Sequence, residues 1–171
     1  MNFIAPTAKI GKNCVIQHGA IIEDRAVIGD NCFIGYYSVI RPKVIIGNNT
    51  EIRCHCFIAE SAKIGSKVRV FQFSNIGKLS VIEDCVYIGA RVLMTNDRKL
   101  TYLRSEDHFE APHVEYGARI ASGVILLPGV RIGKNAVVGG GSVVTKNVPD
   151  EQCWYGVPAV FKKMVPREEQ L

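Results

Sequence analysis

At 171 residues the chain has the length of a single domain with a core of its own. A hydrophobic content of 47% and a charged content of 22% exclude an intrinsically disordered chain. The net charge of +5 favours anionic ligands such as nucleotides, but the lysines and arginines are scattered, which argues against a nucleic-acid-binding protein.

The amino terminus, residues 1–9, has no basic segment followed by an apolar one, so we expect no signal peptide. No apolar run approaches the roughly 18 residues that a membrane span needs. We therefore expect a cytoplasmic protein that binds neither membranes nor nucleic acids. The six cysteines form no C-x-x-C pair, and this favours buried thiols over disulfides or metal ligands.

A six-residue repeat runs through most of the chain. An aliphatic residue recurs at every sixth position from Ile4 to Met94, sixteen times in succession, and fourteen of these are isoleucine. A second register, shifted by two positions, runs from Val114 to Val144. The residue directly after the aliphatic one is glycine in nine hexads, and the residue four positions after it is usually small or β-branched. Period six matches neither an α-helix nor a long alternating strand, and it predicts a short strand and a turn, repeated.

Such repeats stack, because no single repeat can bury its own isoleucine. β-Branched isoleucine suits a packed strand, and glycine suits a corner because it adopts backbone conformations that other residues avoid. Half of the cysteines stand at the small-residue position, which supports a packing role for Cys14, Cys32 and Cys56.

This pattern resembles the hexapeptide-repeat acyltransferases over about residues 4 to 165. The resemblance implies an all-β fold, a left-handed parallel β-helix with three hexads per turn. Twenty-two hexads then make about seven coils, and the prism is roughly 34 Å long at ~4.8 Å between stacked strands. The resemblance also implies a homotrimer with its active sites between subunits.

We divide the chain into a β-helix over residues 1–155 and a helical tail over residues 156–171. Residues 95–113 interrupt the repeat with a polar segment, which we expect to project as a functional loop. A short amphipathic helix capping the open end is predicted from Phe161, Lys162, Lys163, Met164 and Val165.

Three motifs resemble the acetyl-coenzyme A-dependent members of the family: residues 120–124, the glycine-rich residues 138–149 and residues 156–159. In those enzymes the pantetheine arm lies between neighbouring subunits against backbone groups, and side chains there would block its approach. The resemblance therefore assigns coenzyme binding to Ala121, Ser122, Gly123, Gly140 and Gly141, with Lys146 and Lys162 or Lys163 for the phosphates.

Residues 81–89, followed by residues 95–98, resemble the nucleotide-sugar N-acyltransferases, which acylate an amino group on a nucleotide-linked sugar. In many relatives the preceding coil supplies a polar residue near the acceptor amine, which assigns acceptor binding to Gln72 and Asn75, together with Arg98. The acid usual in that branch is missing, since Lys78 stands near its expected place.

Attack of an amine on a thioester needs positioned substrates, donors for the oxyanion and a group that accepts a proton. Histidine, with an ordinary pKa of about 6.5, suits the last task, and His108 stands in the loop. We predict that His108 is the base and that Asn96 and Asp97 bind the acceptor; a His108 that merely decorates a solvated loop is the alternative. We expect a structural role for the remaining histidines, His18, His55 and His113.

Two further functions fit the predicted fold. The γ-class carbonic anhydrases share it and bind zinc through three histidines. His108 and His113 reproduce one such spacing, but Gln72 occupies the third place, so we expect no metal. A structural or ice-binding β-helix is disfavoured because threonine is sparse. Among acyltransferases, the alternative acceptors are serine, a sugar or antibiotic hydroxyl, and a cyclic amino-acid precursor.

Overall fold

The computed structural model of the chain describes residues 1–99 and 109–171. Each hexad forms one short strand and one turn, and three strands complete a coil. The strands in chain order are β1 (Phe3–Ile4), β2 (Lys9–Ile10), β3 (Val15–Ile16), β4 (Ile21–Ile22), β5 (Val27–Ile28), β6 (Phe33–Ile34), β7 (Val39–Ile40), β8 (Ile45–Ile46), β9 (Glu51–Ile52), β10 (Phe57–Ile58), β11 (Lys63–Ile64), β12 (Arg69–Val70), β13 (Asn75–Ile76), β14 (Val81–Ile82), β15 (Tyr87–Ile88), β16 (Leu93–Met94), β17 (His113–Val114), β18 (Arg119–Ile120), β19 (Ile125–Leu126), β20 (Arg131–Ile132), β21 (Val137–Val138), β22 (Val143–Val144), β23 (Gln152–Gly156) and β24 (Ala159–Met164).

Three parallel sheets form the faces of a prism. β1 and every third strand up to β22 form face A, with eight strands, and β2 and every third strand up to β20 form face B, with seven. β3 and every third strand up to β21 form face C, which β23 and β24 extend to nine strands. The first twenty-two strands, at three per coil, make seven complete coils and begin an eighth, and the predicted left-handed parallel β-helix is confirmed. Among the described residues, no helix has the length and apolar character to cross a bilayer.

The second residue of each strand points into the prism. Ile40, Ile58 and Ile76 lie in register on face A, one coil apart, and each is fully buried. The first residue of the same strand points outward, and Phe57 accordingly remains 39% exposed. Each buried isoleucine contributes about 1.5–3 kcal/mol relative to an exposed one, so the repeat is the main source of stability.

A glycine that directly follows a core residue does not supply the left-handed backbone conformation that the repeat suggested. At most corners of the described chain, a left-handed residue comes three positions after the core residue, and fifteen of these are non-glycine residues, such as Asn31 and Asn49, with φ between 53° and 64°. Glycine directly after the core residue is needed for space. A Cβ on Gly47 would lie 2.6 Å from the carbonyl carbon of Gly65 and from the nitrogen of Ser66 in the next coil. The prediction that these glycines supply the corner conformation is therefore wrong.

The carboxyl-terminal tail is a β-hairpin instead of the predicted amphipathic helix. β23 continues face C in parallel with β21, and β24 pairs with it in antiparallel fashion. The strand is favoured over the helix because β23 alone would leave a row of backbone groups unpaired, and because Val160 and Phe161 have a high strand propensity. Helix is limited, in the described part of the tail, to one 3-10 turn at Arg167–Glu169. The hairpin begins at Gln152, ahead of the boundary expected at residue 156.

The interrupting segment leaves the prism at the corner between faces A and B. Val81 pairs with His113, where a regular coil would place residue 99. The two ends of the segment pair with each other, because Asp97 and Phe109 form an antiparallel bridge. Coil stacking therefore continues past the insertion without a break.

Candidate functional site

The corner between faces C and A carries small residues on the coils nearest the carboxyl end. We call this set the glycine shelf, and it consists of Ala121, Ser122, Gly123, Gly140 and Gly141. Consecutive coils join there, because the N–H of Gly123 donates to the carbonyl of Ala90 at 2.8 Å and that of Gly141 donates to the carbonyl of Ser122 at 3.0 Å. The structure thus brings together all five small residues that were assigned to the coenzyme.

The shelf glycines differ from those in the prism wall because the space beside them is open. A Cβ on Gly141 would have no heavy atom of this chain within 4 Å, and a Cβ on Gly123 would come no closer than 3.8 Å to one. Both residues have positive φ, 67° at Gly141 and 73° at Gly123, which favours glycine. Gly140 has no positive φ, and its Cβ would lie 3.4 Å from the carbonyl oxygen of Ser122. The missing side chain at Gly140 therefore leaves free surface that an extended ligand can follow.

The two lysines predicted for the coenzyme phosphates occupy different surroundings. Lys162 holds its Nζ 4.9 Å from the ring centroid of Tyr155, and Tyr155 lies over Gly139, the residue before the shelf glycines. Lys146 lines a cavity of about 150 Å³ together with Trp154. Lys162 is therefore placed next to the glycine shelf through Tyr155.

The predicted acceptor residues border face A. Asn75 is exposed on β13, in the middle of this face. Gln72 lies at the same corner as the glycine shelf, and the opposite corner holds Asn96, Asp97 and Arg98. His108, the predicted base, lies outside the described residues. Face A is thus the surface that borders both the residues predicted for the coenzyme and those predicted for the acceptor.

Polar contacts tie down the base of the loop. The N–H of Glu110 donates to the carbonyl of Asn96 at 2.9 Å, and the Arg98 guanidinium forms an ion pair with the Glu110 carboxylate. Lys78 holds its Nζ 5.1 Å from the ring centroid of Phe109. Arg98 thereby anchors the returning end of the loop, a role that the sequence did not indicate.

A pair of ionisable side chains on face B was also missed. The Nε2 atom of His113 lies 2.9 Å from Oε1 of Glu83, and Oε2 of Glu83 accepts a hydrogen bond from the N–H of Tyr116 at 3.0 Å. His113 follows the loop directly, at an outward-facing strand position. The repeat predicts that His113 points outward, but it does not predict the contact with Glu83, which directly follows β14, because the insertion separates the two residues in sequence.

Next to this pair lies a second ion pair. Glu115 is largely buried, with 12% of its side chain exposed, and accepts two hydrogen bonds from Arg131, at 2.5 and 2.6 Å. These bonds, followed by the one to Asp150, raise the pKa of the Arg131 guanidinium. Ligand atoms of Glu83, His113 and Glu115 lie within 4.8 Å of one another, as a metal site requires. Both carboxylates already accept hydrogen bonds with both oxygens, so the cluster is satisfied by its own contacts.

The buried cysteines serve packing, as predicted. The Cys56 thiol donates to the carbonyl of Phe71 at 3.2 Å, and burial raises its pKa to about 11. Burial also raises the pKa of the Cys32 thiol. Protonated thiols of this kind are poor nucleophiles and poor metal ligands.

Comparison with known proteins agrees with the coil geometry. Residues 25–60 and 112–146 match the family model of the bacterial transferase hexapeptide (six repeats), and residues 8–29 match that of the hexapeptide repeat of succinyl-transferase. Galactoside O-acetyltransferase of Lactococcus lactis is 42% identical over 62 residues, which are 36% of this chain and 30% of that protein. The dTDP-3-amino-3,6-dideoxy-alpha-D-galactopyranose 3-N-acetyltransferase of Aneurinibacillus thermoaerophilus is 44% identical over 52 residues, 30% of this chain and 27% of that one.

A solved structure shares the fold over almost the whole chain. It is a variant of AntD, an N-acyltransferase from Bacillus cereus, in complex with dTDP and coenzyme A. The TM-score is 0.68 at 21% identity, with 97% of this chain and 86% of that chain covered. The curated relatives are longer than the matched stretch, which spans 30% of the first and 22% of the second. From the repeat, the prism and these family matches together, the chain belongs to the hexapeptide-repeat transferases.

Proposed function

We propose that the chain transfers an acetyl group from acetyl-coenzyme A to the amino group of a nucleotide-linked amino sugar. The observation that carries the proposal is the glycine shelf, where Gly140 lacks a side chain although neither crowding nor backbone conformation requires it. Two similar proteins support the acceptor class, since one is named for a dTDP-linked amino sugar and the other was solved with dTDP and coenzyme A.

In this proposal the extended arm of the coenzyme follows the shelf. Small residues let it approach the backbone closely, and Lys162 at the neighbouring hairpin offers its ammonium group to the phosphates. The thioester then points along face A toward Asn75 and the loop. Asn96 and Asp97, at the base of the loop, bind the acceptor sugar with their amide and carboxylate groups.

Transfer of an acetyl group from a thioester to an amine needs little chemical assistance from the protein. The neutral amine attacks the thioester carbonyl, the carbonyl oxygen becomes an oxyanion, and the coenzyme leaves as a thiolate whose conjugate acid has a pKa of about 8.5. Holding both substrates in line supplies most of the rate, and backbone N–H groups stabilise the oxyanion. His108 accepts the amine proton, a contribution of about 10²–10⁴-fold.

O-Acetylation of a sugar hydroxyl is the second candidate, and the His113–Glu83 pair favours it. A hydroxyl is a weaker nucleophile than a neutral amine, so its attack depends more strongly on a base. An imidazole oriented by a carboxylate is a suitable base, and His113 lies where the loop rejoins the prism. The matched galactoside O-acetyltransferase is consistent with this acceptor class.

We further propose that three copies assemble and that a neighbouring copy forms the second wall of the coenzyme groove. The outward side chains of face A are mostly apolar, and Phe3, Phe57 and Leu93 are 57%, 39% and 38% exposed. An apolar stripe along a whole face is what a partner subunit covers. Light scattering after gel filtration should then give three times the 18.8 kDa of one chain. We place this activity in the cytoplasm, where the six free thiols stay reduced.

The test is a thiol-release assay with acetyl-coenzyme A and a panel of acceptors. The panel holds dTDP- and UDP-linked amino sugars, the matching sugars with a hydroxyl in place of the amine, and serine. We expect turnover with an amino sugar that falls by about 10²-fold or more in the His108→Ala variant. Turnover of hydroxyl acceptors alone, lost on His113→Ala, would establish the second candidate instead. Absence of thiol release with every acceptor would refute both.

A further inference from the structure

A second pocket lies on face C, beside its corner with face B. Its volume is about 410 Å³, and no residue of the glycine shelf lines it. The polar and aromatic residues of its lining are Lys67, Arg69, Cys85, Tyr87, Arg119 and Glu169. The proposed acyl transfer uses none of these side chains, so the pocket has no role in that reaction.

The guanidinium of Arg119 is the unusual group in this pocket. Its Nη1 atom donates to Glu169 at 3.3 Å. Its Nε and Nη2 atoms are buried and have no hydrogen-bond partner among the residues that the structure describes. A buried donor without an acceptor is costly, so such a group indicates a ligand that completes it. Nε and Nη2 form one edge of the guanidinium plane, and this edge binds a carboxylate or a phosphate with two parallel hydrogen bonds.

The charges around Arg119 are not balanced by this chain. Lys67 makes no ion pair within the described ranges, and Arg69 has only a contact of 4.0 Å with Glu51, which pairs at 2.7 Å with Arg53. Glu169, half exposed on the tail, is the one side-chain carboxylate in the lining, which also contains Leu171, and it faces three cationic side chains. Positive charge therefore exceeds negative charge in the lining, which favours an anionic group that the planar guanidinium edge can bind with two hydrogen bonds.

We propose that this pocket binds the phosphate group of a phosphorylated small molecule. The phosphate accepts two hydrogen bonds from the free edge of Arg119, and Lys67 and Arg69 compensate its remaining charge. Tyr87, 38% exposed and packed against Phe71 at 5.0 Å between ring centroids, offers a flat surface to the organic part of the ligand. The pocket does not depend on the proposed acyl transfer, and its ligand is bound without being consumed.

Glu169 gives the proposal a distinctive consequence. The carboxylate accepts from Nη1, next to the edge that the phosphate uses, so the tail competes electrostatically with the ligand. Removing its charge with Glu169→Gln should tighten phosphate binding by about threefold to fivefold, the range expected for one partly exposed ion pair. A residue with a purely structural role in the tail would weaken binding or leave it unchanged.

The experiment is calorimetric titration of the full chain with inorganic pyrophosphate, inorganic phosphate and a nucleoside diphosphate. We expect a Kd on the order of 1 mM or tighter for at least one probe. Binding should weaken at least tenfold in Arg119→Gln and should not be restored in Arg119→Lys, because lysine lacks the planar edge. Lys63→Gln is the matched control, since it removes one exposed positive charge on face B. Preference for the nucleoside diphosphate, lost in Tyr87→Ala, would identify a nucleotide; equal binding of pyrophosphate would identify a free phosphate compound.

Competition with coenzyme A separates this pocket from the glycine shelf. Arg119 stands two residues before Ala121, so the coenzyme phosphates are the nearest rival occupants. Pyrophosphate should bind equally well to chain that is saturated with coenzyme A. Loss of that binding would overturn the assignment as a separate site. A Lys63→Gln variant as impaired as Arg119→Gln would overturn it too, since the effect would then reflect net charge alone.

Discussion

Substitution of Gly47 by alanine tests the spacing of the coils. Gly47 is held by a hydrogen bond of 2.8 Å from its N–H to the carbonyl of Ile64, and a Cβ would stand 2.6 Å from two backbone atoms of the next coil. Ordinary contact requires a separation larger by about 1 Å, against ~4.8 Å between stacked strands. Overpacking costs about 1–3 kcal/mol and a weakened backbone hydrogen bond adds about 1 kcal/mol. We expect a loss of about 3 kcal/mol, which lowers the melting temperature by about 6–12 °C in a chain of this size.

The matched control is Gly140→Ala on the glycine shelf. Its Cβ would meet only the carbonyl oxygen of Ser122 at 3.4 Å and the Cβ of Ala121 at 4.0 Å. Its free energy of unfolding should stay within about 0.5 kcal/mol of the parent. Differential scanning calorimetry compares the two variants. A Gly47→Ala variant that melts within about 1 °C of the parent, or a Gly140→Ala variant that loses as much as Gly47→Ala, would refute the argument from coil spacing.

The remaining predictions concern the core and the thiols. Chemical denaturation should show that Ile58→Ala lowers the free energy of unfolding by about 2–5 kcal/mol, because Ile58 is fully buried. Val27→Ala, at an exposed position of face B, should lower it by less than about 1 kcal/mol. Equal losses would contradict the finding that the second residue of each strand points into the prism. Because burial raises the pKa of the Cys56 thiol to about 11, this thiol stays protonated in the folded chain at a pH where it ionises in the unfolded one. The buried thiol therefore stabilises the folded chain fully below the pKa of the unfolded thiol, and this stabilisation is lost as the pH rises toward 11. The free energy of unfolding should decline less steeply over that interval in Cys56→Ala than in the parent. An unchanged slope would contradict the assignment. A thiol-reactive dye at pH 8 should label the native chain fastest at its three half-buried cysteines, Cys14, Cys54 and Cys85. Equally fast labelling of the buried cysteines would contradict their role in packing.

The sequence predicted the prism because one rule repeats at every coil. Once an isoleucine stands at every sixth position, burial of that residue determines strand, turn and stacking together. The role of glycine could not be separated in the same way. A left-handed backbone and a close approach of the next coil both select glycine, and only the structure shows that Gly47 serves the second need while Asn49 takes the left-handed conformation.

Non-repeating parts were harder to predict, since each is decided by contacts distant in sequence. Phe161 and Met164 are equally compatible with the apolar side of a helix, and pairing with the open edge of β23 makes this segment a strand instead. The residues of the glycine shelf were identified by resemblance, and the structure shows that they share one corner. Glu83 and His113 were not paired in advance, because the insertion between them hides which strands are neighbours.

Binding of coenzyme A to the glycine shelf is the most direct test of the proposed function. Calorimetric titration should detect binding to the parent chain and its loss in Gly140→Phe, where the added Cβ comes no closer than 3.4 Å to its neighbours and the ring should cover the exposed surface of the shelf. Circular dichroism and the mass in solution should show that the variant keeps the fold and the assembly of the parent. Saturable binding that Gly140→Phe abolishes is the result that we predict. Absence of binding to the parent, or full binding to Gly140→Phe, would contradict the coenzyme site and with it the proposed acyl transfer.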